Sequence, residues 1–296
     1  MKSYDLMIIG PSCRDENTDY TGAVVRDVGG AVTFCTPAAR AANPSVFAAV
    51  KIAPKDSDII ERFQMDPEDI ALLPSKETTE MHNRYFTADR ERREASCPKQ
   101  SDPILPEEIP NVPCKMYHLA GLLYGDFPAE LLEDLHTKGK VTADAQGFLR
   151  HNEGGHLVYH DWADKLKYLK LIDILKTDAR EAELLTGLTD RYAAAKQLYD
   201  WGSPEVMVSH NTEMLVYDGK EYYTCPVRAR NLTGRTGRGD TTFGSYIAMR
   251  VAGKSIPEAL LYATACVSLK METPGIFTGT KADVEAYIRD FYPEFR

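Results

Sequence analysis

Residues 231–246, NLTGRTGRGDTTFGSY, decide how this chain is read. Gly234, Gly237 and Gly239 crowd in front of an acid, Asp240, and a helical run, TFGSYIAMRVA, follows. A helix start presents unpaired backbone N–H groups and the positive end of the macrodipole. Glycines let that backbone close on a phosphate without side-chain obstruction. The stretch therefore predicts an anion cradle at a helix mouth. It is not a Walker A loop, because no Lys-Ser/Thr follows the last glycine. It is not a GxGxxG fingerprint either, because the spacing fails and the stretch lies late in the chain. A carboxylate beside such a cradle can take the proton of a hydroxyl that attacks a terminal phosphoryl group. The glycine N–H groups would stabilise the charge on the transferred group. Two plainer readings compete: Asp240 as a helix cap, and Arg238-Gly239-Asp240 as an adhesion tripeptide, which suits an acidic, enzyme-sized chain poorly.

Working outward, apolar runs alternate with helical ones. YDLMIIG reads as a buried strand and AVTFCTPAARAA as a tightly packed helix, and SVFAAVKI is the next strand. ETTEMHNRYFTADRERREASC alternates polar with apolar residues and predicts an exposed hairpin turned near TADR, and a proline-rich connection follows it. KMYHLAGLL, GKVTADAQG, IDILKTD and PEVMVSHN read as strands. PAELLEDLHTK, DWADKLKYLKL, AREAELLTG (closed by Gly187), RYAAAKQLYDWG and SIPEALLYATACVSLKME read as helices. EMLVYDGKEYYTCPV predicts a hairpin turned at Asp218-Gly219. Such alternation predicts a single doubly wound α/β domain over 1–296, with a small lid from segments near 16–30 and 76–100.

The composition sets limits. With 296 residues the chain can bury one large core, and 43% hydrophobic with 27% charged content is ordinary for a soluble globular protein. A net charge of −9 argues against a general nucleic-acid or anionic-membrane binder. Six scattered cysteines, with no CxxC pair and no zinc-like spacing, read as reduced core thiols. The opening MKSYDLMIIG lacks an apolar run long enough for a signal peptide or a membrane span, so the expectation is a cytoplasmic protein. The histidines form no HxxxH or HExxH pattern, so no zinc site is expected.

TGRGDTTFGSYIA resembles the late signature of the ribokinase-like (PfkB-type) carbohydrate kinases, usually Gly-Ala-Gly-Asp. IIGPSCRD, VGGAVTFCTPAARAA, LKTDAREAELLTG, VMVSHNTEMLVYDG and TPGIF resemble further motifs of that family, in the family's order. GGAVTF, ETTEMHNRYF, SDPILPEEIP and ADAQGFLR are similar, more loosely, to inositol-kinase members. The resemblance implies a ribokinase-like doubly wound, mostly parallel sheet flanked by helices with a β-lid. It implies transfer of the ATP γ-phosphoryl group, with Mg²⁺, to a hydroxyl of a sugar or cyclitol.

Carried over residue by residue, Asp240 is the catalytic base, and Gly237, Arg238 and Gly239 supply the anion hole. Asp15, Gly29, Gly30, Thr33 and Arg150 face the substrate. Ser209, Asn211, Thr236 and Gly275 lie along the nucleotide. Asp178 and Glu181 organise water around Mg²⁺, which dehydrates reluctantly. The chain departs from the family pattern at Arg238 for alanine, Asp178 for asparagine, Phe34 for a ribose-binding asparagine, and Gly234-Arg235 for Asp-Thr. Lys51 reads as structural or solvated, His210 as a packing residue, and Arg84 equally as a lid ion pair or a ligand contact. A nucleoside kinase of the same fold, an idle sugar-binding relative and a scaffold remain as alternatives. The resemblance also implies a homodimer through the lid, with the 76–96 hairpin as its contact.

Overall fold

The computed structural model describes residues 2–87 and 92–295. Its central strand, Tyr4–Pro11 (β1), is buried almost throughout, as a strand covered on both faces must be. The chain continues through Cys13–Thr18 (β2), Val24–Gly29 (β3), helix Ala31–Ala42 (α1), Val46–Ile52 (β4), Asp58–Glu61 (α2), Ile70–Pro74 (β5), Thr79–Tyr85 (β6), Arg93–Lys99 (β7) and Cys114–Leu119 (β8). Next come Ala129–Lys138 (α3), Lys140–Asp144 (β9), Gln146–Leu149 (α4), Arg150–Glu153 (β10), His156–Tyr159 (β11), Lys165–Tyr168 (α5), Ile174–Asp178 (β12), Ala179–Thr186 (α6) and Arg191–Asp200 (α7). Glu205–Ser209 (β13), Glu213–Tyr217 (β14), Tyr222–Pro226 (β15), Arg238–Val251 (α8), Ile256–Lys270 (α9) and Lys281–Phe291 (α10) complete the order.

The main sheet runs β15-β14-β13-β12-β9-β8-β1-β4-β5. It is parallel from β13 to β5, and an antiparallel hairpin extends it at β14 and β15. Successive residues of β1 feed two cores. Leu6 and Ile8 join the side packed by α1, α8 and α9, and Met7 and Ile9 join the side packed by α3, α6 and α7. β1 pairs with β4 on one flank and β8 on the other, so strand order reverses there and a crevice opens beyond the strand ends. Helices α1 and α8 close together beside it. A Cβ on Gly244 would lie 2.5 Å from the Cys35 carbonyl oxygen.

A second sheet, β10-β11-β7-β6-β2-β3, forms the lid. Only Ser12 separates β1 from β2, so the lid grows directly out of the central strand. The fold is therefore the ribokinase-like α/β architecture, a mostly parallel sheet flanked by helices with a β-lid. The lid has a third contributor that the sequence reading lacked, the 150–159 hairpin. The turn expected near TADR lies largely outside the described residues.

Other sequence expectations need correction. DWADKLKYLKL holds only the single turn α5 and a 3₁₀ turn at Leu169–Leu171. The 76–96 hairpin is not an edge, since β6 is paired by β2 and β7 by β11. The unpaired lid edges belong to β3 and β10 instead. Lys51 is buried and paired with Glu108 at 2.6 Å, so of its two readings the structural one holds. All six cysteines are free thiols. No described helix is long and apolar enough to cross a membrane.

Candidate active site

The site begins with an absence at the start of α8. Its N-cap is Gly237, with φ +74°, and no side chain caps the helix. The cap reading of Asp240 therefore fails, because Asp240 sits inside the first turn. Neither Gly239 nor Asp240 has a protein acceptor for its backbone N–H among the described residues. Gly237 is sterically required, and Gly239 leaves room for the end of Lys176. A Cβ on Gly237 would meet the Phe34 ring at 2.2 Å, and one on Gly239 would lie 3.1 Å from Lys176 Nζ.

Lys176 and Lys270, which the sequence reading left without roles, flank this turn, and Lys270 holds it. Lys176 ends deep in the protein beside Asp144, with Nζ 2.7 Å from Oδ2. A buried pair of this kind leaves a costly charge behind if one partner is lost. Lys270, at the end of α9, donates to the carbonyl oxygens of Gly234 (2.6 Å) and Thr236 and lies 5.3 Å over the Phe34 ring. Burial pushes its ammonium down to about 8, against the opposing charge of Asp240. The available signal was a charge inside an otherwise apolar strand (ILKTD) or helix (CVSLKME). Asp144, in TADAQG, was missed for the same reason.

Asp240 keeps part of its surface open to the crevice and is surrounded by protein elsewhere. Burial raises its carboxyl to about 6, and Asp144 adds to the rise, while Lys176, Arg150 and Lys270 oppose it. That value suits a base working near neutral pH. Arg150 is buried, and its Nε donates to the Leu122 carbonyl at 2.9 Å. Its charge is felt by Asp240, by Asp126, and by Cys13 and Cys97 of the lid. Arg150 thus lies within electrostatic reach of both the turn before α8 and the lid cysteines. Asp15 stands on that face, with its carboxylate against the bare Cα of Gly29, where a Cβ would be 2.2 Å from Oδ2. Gly30, at φ +102°, starts α1.

Other expected residues are engaged structurally. The Thr33 hydroxyl is buried, donates to the Gly29 carbonyl at 2.8 Å and meets Ser12 Oγ at 2.8 Å, so it braces the Gly29–Gly30 turn. Ser209 donates to the Thr177 carbonyl at 3.2 Å. Asn211 and Thr236 are exposed, and Gly275 has φ +90° with open space where a side chain would go. Arg238 occupies the first helical position, half-buried.

Asp178 and Glu181 form a capping box on α6. Asp178 Oδ1 accepts the N–H groups of Arg180 and Glu181 at 2.8 Å each, and Glu181 Oε2 accepts that of Asp178 at 2.8 Å. Burial, reinforced by Asp144 and Asp178 and opposed by Lys176, lifts Glu181 to about 8. Four carboxylates, Asp144, Asp178, Glu181 and Asp240, thus act on one ammonium, Lys176. Such surplus of hard oxygen ligands fits a divalent cation. Among the described residues no three of these side chains are placed to ligate one directly, so any such ion would be held through its water.

The family model for pfkB family carbohydrate kinases matches residues 69–282. A cytidine kinase of Thermococcus kodakarensis is 27% identical over 280 residues, covering 90% of this chain and 94% of that protein. Among solved structures, a pyrophosphate-dependent kinase of the ribokinase family, complexed with a pyrophosphate analog and myo-inositol, superposes with TM-score 0.85 at 31% identity, covering 95% of this chain and 99% of that one. A pyrophosphate-dependent myo-inositol-1 kinase converted into a myo-inositol-3 kinase by replacing an asparagine and a serine with leucine gives 0.84 at 29%, covering 97% and 99%. An Arabidopsis thaliana ribokinase complexed with ribose and ATP shares the fold, with TM-score 0.76 at 15% identity over 97% and 99% of the two chains. This chain belongs to the pfkB family of carbohydrate kinases.

Proposed function

We propose that this kinase transfers a terminal phosphoryl group to a hydroxyl of a small polyol, an inositol-like cyclitol or a sugar, with Asp240 as general base. The observation that carries the reading is the raised Asp240 carboxyl beside the open N–H groups of Gly239 and Asp240. Asp15 and Arg150 would orient the acceptor, and the lid would exclude water over it. Asp240 takes the hydroxyl proton as the oxygen attacks phosphorus. The bond from phosphorus to the leaving phosphate breaks, and the N–H groups of the turn hold the charge on the transferred group. A Mg²⁺ ion held through its water by Asp178 and Glu181 would supply neutralisation of the donor's charge.

For the donor, pyrophosphate is favoured by the solved relatives near 30% identity that depend on it. ATP is the second reading, the one the sequence resemblance implied, and the nucleotide-side residues Asn211, Thr236 and Gly275 belong to it. For the acceptor, the myo-inositol of one relative favours a cyclitol, and the cytidine kinase keeps a nucleoside as the second reading. The test is phosphorylated-product formation from myo-inositol, ribose or cytidine, each with Mg-pyrophosphate and with Mg-ATP. Turnover of a polyol that Asp240→Asn abolishes supports the reading. Turnover of cytidine alone replaces the polyol with a nucleoside, and no turnover with any pair overturns the kinase activity.

We also read a homodimer through the lid, by its β3 edge and not by the 76–96 hairpin. Unpaired edges recruit further strands, and Val24 and Val25 are exposed there.

A further inference from the structure

The connection from β8 to α3 is folded around an acid that the sequence reading left without a role, Asp126. Its side chain is buried, at 1% exposure. Oδ2 accepts the backbone N–H groups of Leu122 and Leu123 at 2.8 Å each, and the Asp126 N–H donates back to the Leu123 carbonyl at 3.2 Å. Oδ1 is buried with no hydrogen-bond partner among the described residues. Such a placement is costly. Burial lifts the carboxyl to about 6, and the N–H groups of Leu123 and Leu122 and the charge of Arg150 oppose the rise only in part. A half-satisfied buried acid lowers stability, and proteins keep such groups where they serve a site.

What this turn holds is Arg150. The Leu122 carbonyl accepts from Arg150 Nε at 2.9 Å, and the Tyr124 N–H donates to the Arg150 carbonyl at 2.7 Å. Side chain and backbone of Arg150 are thus fixed by one short turn. The Tyr124 ring also stacks on His151, the next residue, with centroids 4.1 Å apart. The return from the lid reaches the same turn: Gln100 donates to the Tyr124 carbonyl at 3.2 Å, and the Ile104 N–H to that of Asp126 at 2.9 Å. The link from Asp126 to Arg150 is a single peptide unit. The Leu122 carbonyl and the Leu123 N–H belong to one rigid plane and point in opposite directions across it. Asp126 holds the N–H end of that plane, so the carbonyl end is aimed at Arg150 Nε. The charge aimed in this way is felt by Asp240.

We propose that Asp126 is a positioning residue for Arg150. By pinning the Leu122–Leu123 peptide plane it aims the Leu122 carbonyl at Arg150 Nε, and so fixes the guanidinium beside the crevice. Its kinetic consequence rests on the phosphoryl-transfer reading above, and the positioning itself does not.

The experiment therefore reads the arginine and the reaction separately, on the full chain. The Arg150 Nε–H resonance is assigned by NMR through its loss in Arg150→Met, and its exchange with solvent is measured in the wild type, Asp126→Ala and Asp126→Asn. We expect slow exchange in the wild type and exchange at least about tenfold faster in Asp126→Ala, the order of a single released hydrogen bond. Asp126→Asn, whose amide oxygen still accepts from Leu122 and Leu123, should return it towards the wild-type rate. Asp126→Ser, too short to hold both N–H groups, serves if Asp126→Ala does not fold. On the active donor and acceptor, kcat/KM should fall about ten- to a hundredfold in Asp126→Ala, the range for a misplaced positioning group, and recover in Asp126→Asn. It should fall no further when Asp126→Ala is added to Arg150→Met, because residues that act through one another are not additive. The same added loss in both backgrounds would mark a role confined to folding and overturn the proposal. So would an unchanged Arg150 exchange rate in the folded alanine or serine variant. If the wild type turns over no pair, the kinase reading falls, and faster Arg150 exchange in Asp126→Ala still upholds the positioning.

Discussion

The base proposed here, Asp240, would take its strength from its surroundings. Its carboxyl sits at about 6 because burial and Asp144 disfavour the charge more than Lys176, Arg150 and Lys270 favour it. Replacing it by asparagine should lower kcat by about 10²–10⁴-fold, the range for loss of a positioned general base, and steady-state kinetics on the active pair checks this. The same substitution should stabilise the fold. The folded state holds this proton more tightly than the unfolded chain does, so stability falls as pH rises from about 4 through about 6. The neutral amide removes a cost of up to about 3 kcal/mol at pH 7, and thermal melting should show a higher Tm for Asp240→Asn at pH 7 than at pH 4 relative to wild type. In the wild type, kcat/KM should fall about tenfold per pH unit below roughly 6, because only the carboxylate accepts the proton. A pH–rate profile flat down to pH 4.5 would remove Asp240 from the base role.

At the scale of elements, the loop from Gly234 to Gly237 is tied to α9 by Lys270, which donates to two of its carbonyl oxygens. Lys270→Met should release it and raise the donor KM at least tenfold. In the wild type the donor KM should rise as pH passes above about 8, where the ammonium loses its proton; initial rates at varied donor between pH 6 and 9.5 check both. These elements differed in how plainly the sequence announced them. The buried strands, α1, α6 with its Gly187 stop, and α8 were legible because apolar runs and glycine punctuation are local signals. The 150–159 hairpin was not, since RHNEGGHLVY has little apolar alternation and its strand pairing depends on β7, far away in sequence. The same divide runs through the site. Asp240 and its glycines are contiguous and visible, whereas Asp144, Lys176 and Lys270 come from two strands and a helix, and only folding brings their charges onto one turn.

At the scale of the molecule, the lid and the body share one continuous strand, interrupted only at Ser12. A partner strand added at the lid's free β3 edge would therefore lie close to the acceptor side of the crevice. Sedimentation should find a dimer for the wild type and a folded monomer for Val25→Lys, since Val25 is 60% exposed in the single chain, with a lower Tm only through the lost partner. The bare start of α8 has a consequence for the whole protein too. Other helices here, such as α9 behind Ser255 and α10 behind Thr280, bring their own first residue to close the end. The helix that carries Asp240 does not, so on the proposed reading a donor phosphate would close it and would act as a folding ligand before it is a reactant. Hydrogen exchange should report this directly: amides 238–242 should slow when the donor binds, and amides at the start of α9 should not.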